Sequence, residues 1–99
     1  MAQTLTAKLT ATAEGMRLYQ QERAILEVTE LLCQIMDEDD VSRAELARRM
    51  GKTKGYVTQL LDGRANMTIR TISDVFCALN RGVHFQDGPL RATVGSGSV

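Results

Sequence analysis

Ser42-Arg43-Ala44-Glu45-Leu46-Ala47-Arg48-Arg49-Met50-Gly51-Lys52-Thr53-Lys54-Gly55-Tyr56-Val57-Thr58-Gln59-Leu60-Leu61 is the stretch that decides the fold. It holds two helix beginnings and the turn between them. Ser42 with Glu45 three residues on fits a capping box, in which the hydroxyl accepts from a free backbone N–H and the carboxylate reaches back to the cap residue. Val41 and Leu46 frame that cap as a hydrophobic staple, and Leu46, Ala47 and Met50 supply an inward face. Gly51 ends the helix, because a left-handed residue after the last turn costs glycine nothing. Thr53 caps a second short helix whose inward residues are Val57, Leu60 and Leu61, closed by Asp62 and Gly63. Helices this short, joined by so tight a turn, cross steeply, and Ala47 is the small side chain that lets their backbones approach.

Upstream, Leu18, Ile25, Val28, Leu32, Ile35 and Met36 recur at helical spacing and predict a first helix over 15–36, with Gln20, Glu22, Arg23, Glu27 and Glu30 turned outward. Asp37, Glu38, Asp39 and Asp40 put negative charge where the helix dipole is already negative, which predicts a solvated loop. Downstream, Thr68, with Met67 and Ile72 as a second staple, begins a fourth helix with Ile69, Ile72, Val75, Phe76 and Leu79 on one face. Asn80 and Gly82 offer two exits. The Asp87-Gly88-Pro89 turn between 83–86 and 90–94 suggests a short C-terminal β-hairpin, and 95–98 reads as a tail. The resulting division is a flexible arm over 1–14, one helical domain over 15–82, and an extension over 83–99 available for dimerisation.

With 99 residues, 43% hydrophobic but only 4% aromatic, the chain has material for one modest core of aliphatic side chains. Its formal net charge is zero, which argues against bulk attraction to a polyanion. The distribution is polarised, however. Between Glu14 and Asp40 eight acidic residues accompany only Arg17 and Arg23, whereas between Ser42 and Arg70 seven basic residues accompany only Glu45 and Asp62. Such segregation is expected where one face meets a polyanion. Cys33 and Cys77 lie among apolar helical neighbours and read as free, buried thiols. No run approaches the roughly 20 apolar residues of a membrane span, so a cytoplasmic location is expected.

The decisive stretch resembles the phage-repressor-like helix-turn-helix domains, the Cro-type or XRE family of bacterial and phage regulators. The resemblance rests on Leu46-Ala47, Gly51, Thr53, Tyr56-Val57, Leu60-Leu61, Gly63-Arg64 and Thr68-Ile69-Arg70-Thr71-Ile72, and covers 25–79. It implies an all-α, lambda-repressor-like bundle of four to five helices, with the helix from Thr53 lying in the major groove of double-stranded DNA. It also implies roles. Lys54, Gly55, Thr58 and Gln59 face the bases, Gln59 suiting adenine and the Thr58 methyl suiting thymine. Arg43, Lys52, Thr53, Tyr56, Arg64 and Asn66 face phosphates, which set register. Two departures stand out: Lys52 where the family often has an apolar turn residue, and Gly55 where a side chain is normally presented.

The function implied is a transcriptional repressor binding an inverted-repeat operator as a homodimer. An antitoxin that masks a toxin and binds its own operator is an alternative, as is a protein-interaction module using the basic face. No enzyme, metal or cofactor is expected. Gly51-Lys52-Thr53 lacks the earlier glycine and strand of a phosphate-binding loop, His84 has no nucleophile or carboxylate at catalytic spacing, and the acidic run lacks the ligand alternation of a calcium loop.

Overall fold

Helix starts follow the hydroxyl residues. In the computed structural model, which describes Lys8 and residues 10–90, four α-helices form: α1 (Ala13–Glu38), α2 (Arg43–Met50), α3 (Lys54–Leu61) and α4 (Ile69–Ala78). Ser42, Thr53 and Thr68, each in extended backbone, accept from the N–H of Glu45, Tyr56 and Thr71 at 3.0, 3.0 and 3.1 Å. Thr12 does the same for the N–H of Gly15 at 2.9 Å, which is why α1 begins before the expected Gly15. Each such cap satisfies an orphan donor and stabilises its helix by about 1 kcal/mol.

The exits share one geometry as well. Asp40, Gly51, Gly63 and Asn80 are left-handed, with φ of 55°, 67°, 74° and 61°. At every exit the left-handed N–H returns to the carbonyl three residues back, and the next N–H reaches the one five back: Val41 to Met36, Lys52 to Ala47 and Arg81 to Phe76 at 2.9 Å, Arg64 to Gln59 at 3.0 Å. This is the Schellman closure, and it corrects the expectation of a loop for Asp37 and Glu38, while Asp39 and Asp40 lie in the turn. α1 continues through Asp37 and Glu38, because closing at Asp40 buries Val41 in the cluster that holds Met36. Burying a valine stabilises by roughly 1.5–3 kcal/mol, more than the roughly 0.3–1 kcal/mol that an acidic residue at a helix C-terminus costs. Arg81 also lies 3.2 Å from Asp39 and 3.8 Å from Glu38.

The buried apolar cluster draws Leu32, Ile35 and Met36 from α1, Leu46 and Ala47 from α2, Val57, Leu60 and Leu61 from α3, and Val75 and Phe76 from α4, with Val41 and Leu79 from the helix ends. α2 is the central element, packing on both α3 and α4. All of these residues lie in one compact unit, Glu27–Phe85; a second unit draws on Met1–Leu26 and Gln86–Val99. Among the described residues no helix is long and apolar enough to cross a membrane.

Several expectations need correction. Leu18 and Ile69, read as inward, are 46% and 70% exposed. Cys33 and Cys77 are free but exposed rather than buried. Only half of the capping box forms: the Glu45 carboxylate turns to Arg48 and Arg49 rather than back to Ser42, since two guanidinium partners outbid one backbone N–H. Residues 81–90 form no strand, so the first half of the expected hairpin is not there, and 91–94 lie outside the described residues, as do the tail and most of the arm.

Candidate functional site

α3 presents two unlike flanks. Val57, Leu60 and Leu61 are buried at helical spacing, which leaves Lys54, Gly55 and Gln59 exposed and Tyr56 and Thr58 half-buried. A Cβ built on Gly55 finds only the Thr53 hydroxyl, at 3.9 Å, so this helix surface is open. Around it, Lys52, Thr53, Arg64 and Asn66 are exposed and Arg43 is half-buried.

The cations divide into two sets. Arg48 and Arg49 are held by Glu45, Arg49 at 2.9 Å, and Arg49 also donates to the Ala78 carbonyl at the end of α4 at 3.0 Å. Hydrogen bonds from Arg48 and then from Arg49 hold the Glu45 carboxyl down at about 2, from an ordinary 4.5, and Arg48 is raised in return. Arg64 pairs with Asp62 at 2.9 Å on the exposed surface, where screening leaves little net gain. Arg43, Lys52, Lys54 and Arg70 have no carboxylate partner among the described residues.

Besides Arg64, four of the expected phosphate-facing residues, Arg43, Lys52, Thr53 and Tyr56, already have partners inside the fold. The Thr53 hydroxyl caps α3. Lys52 Nζ sits 5.4 Å from the centroid of the Tyr56 ring, close enough for a cation–π contact that gives the turn lysine a local anchor. Arg43 Nη1 donates to Thr58 Oγ1 at 3.2 Å, joining a residue assigned to phosphate with one assigned to a base. Arg70, exposed in the first turn of α4, was passed over in the residue assignment although its charge had been counted. Charge without a paired carboxylate beside a helix start was the signal.

An open groove of about 630 Å³ is lined by Arg49, Met50, Lys52, Tyr56, Thr71 and Asp74, among others. It combines both signs of charge and lacks the enclosed apolar wall that buries a small ligand. His84 is exposed. What the exposed flank of α3 offers, by contrast, is one edge of hydrogen-bonding side chains set among positive charges, an arrangement able to follow a polyanion while reading polar groups along it. Compared with known protein families, with curated proteins and with solved structures, the chain matches none of them.

Proposed function

We propose that this protein is a sequence-specific double-stranded DNA-binding regulator of the phage-repressor-like helix-turn-helix kind, acting as a repressor and binding an inverted repeat as a homodimer. The observation that carries the reading is the polar flank of α3, with Lys54, Gly55 and Gln59 exposed and Thr58 half-buried, on a helix whose opposite flank is buried, and with no carboxylate paired to Arg43, Lys52, Lys54 or Arg70 among the described residues. Lys54 and Gln59 supply the base readout, Gln59 by a bidentate pair of hydrogen bonds to adenine. Lys52, Arg64 and Arg70 supply the sequence-independent affinity through phosphates. A protomer with so few reading side chains distinguishes little DNA alone, so two copies on a symmetric site are required for useful specificity.

Selection of bound duplexes from a random pool, followed by a salt titration on the winning sequence, tests the proposal. The expected product is a sequence with twofold symmetry. Three phosphate-neutralising side chains per protomer give a fall of log K with log salt at a slope of about −3 for each protomer. Changing Lys54 and Gln59 together to alanine lowers the preference for the selected sequence over random DNA by roughly 10-fold or more. A pool that yields no enriched sequence, or an affinity insensitive to salt, overturns the reading.

A further inference from the structure

Arg43 stands at the first position of α2 and Thr58 in the middle of α3, fifteen residues apart, and the donation from Arg43 Nη1 to Thr58 Oγ1 is the one side-chain hydrogen bond between these helices among the described residues. Both residues are half-buried. Arg43 has no carboxylate to hold it elsewhere. A threonine within a helix divides between two rotamers, because its hydroxyl also bonds the carbonyl of the preceding turn. A donor arriving from a neighbouring helix selects one of them. Since Oγ1 and the methyl share one Cβ, holding the oxygen against α2 fixes the direction of the methyl too.

We infer that Arg43 is a positioning residue: by holding the Thr58 hydroxyl against α2 it presents the Thr58 methyl as a reader of the thymine C5-methyl in a DNA duplex. This rests on the DNA-binding reading above and deepens it, turning a residue expected only at phosphate into one that shapes base preference. Thymine is the base marked by an apolar group in the major groove, so a fixed methyl recognises it by contact, whereas a free hydroxyl accommodates several bases.

The test uses the full chain and the duplex selected above, with each thymine replaced in turn by uracil, which lacks only the C5-methyl. The wild type is expected to lose about 4-fold in affinity at one position of each half-site, the worth of one buried methyl group. Thr58→Val, which carries methyls at both γ positions in one strongly preferred helical rotamer, retains that sensitivity without a hydroxyl for Arg43 to hold. Thr58→Ser and Arg43→Met lose it, bringing the thymine-to-uracil ratio close to one. Arg43→Lys keeps the charge but not the planar fork, and lowers the ratio while leaving the salt slope unchanged. A role in phosphate binding alone predicts instead that Arg43→Met weakens every duplex equally with the ratio intact, and that result overturns the inference. Should Arg43→Met fail to fold, Arg43→Lys and Thr58→Ser read the same ratio. A wild type that selects a sequence but ignores uracil everywhere overturns this inference and leaves the DNA-binding reading standing; a wild type that selects no sequence overturns both.

Discussion

α2 and α3 on one side, and residues 13–26 of α1 on the other, are built from comparably helical sequence but are stabilised differently. Each of the two short helices has 8 residues, well under the roughly 12–15 at which an isolated helix becomes marginal in water, so neither stands without burial. They have that burial in Leu46, Ala47, Val57, Leu60 and Leu61, and hydroxyl caps at both starts. The first half of α1 has none of the buried residues of its helix, which begin at Thr29. Its described contacts include the Thr12 cap, a part-buried bond from Gln20 to the Met16 sulfur, and an exposed Arg17–Glu14 pair at 2.8 Å, the last worth only tenths of a kcal/mol. Periodicity therefore identifies a helix in both regions, whereas among the described residues buried apolar side chains gather only in the first of them.

The comparison is tested most severely at Leu46, which is completely buried. Leu46→Ala should cost about 2–5 kcal/mol, seen as a lower urea midpoint at unchanged slope, or as failure to fold if total stability is smaller than that. Ser42→Ala removes the acceptor for the Glu45 N–H and should cost about 1 kcal/mol in the same assay. Glu45 sharpens the contrast through pH. Its folded carboxyl lies at about 2 against an ordinary 4.5, so its pairing with Arg48 and Arg49 is fully present above 4.5 and is lost as pH falls toward 2. The stability of Glu45→Gln should accordingly fall less steeply than that of the wild type across that interval, and parallel curves would show that the pairing adds nothing. The smallest effect is expected at Leu18, where substitution by alanine should stay within about 0.5 kcal/mol. A cost at Leu18 matching that at Leu46 would mean that the two regions are supported alike.

What was legible in the sequence is what short-range chemistry decides. Ser42, Thr53 and Thr68 marked helix starts, and Gly51 and Gly63 marked ends, because a cap or a left-handed residue acts within a single turn. Asp37 and Glu38 were misread: charge alone predicted a loop from Asp37 on, and the burial of Val41 that carries the helix through Glu38 depends on the finished core. Leu18, Ile69, Cys33 and Cys77 were misplaced for a related reason, since spacing tells which residues share a face and not what covers that face. At the candidate site, the outward position of Lys54, Gly55 and Gln59 followed from the inward position of Val57 and Leu60. The Arg43–Thr58 bond did not, because it exists only once two helices have met. Glu45 fits the reciprocal cap by spacing, and no motif records its competition with Arg48 and Arg49.

The left-handed exits have a kinetic consequence. By reversing the chain at Asp40, Gly51 and Gly63, they confine the connections between helices to residues 39–42, 51–53 and 62–68. Little loop-closure entropy is lost before neighbouring helices touch, and most contacts join residues near in sequence, so contact order is low. Refolding of the unit Glu27–Phe85 is therefore expected on the microsecond-to-millisecond scale typical of helical bundles.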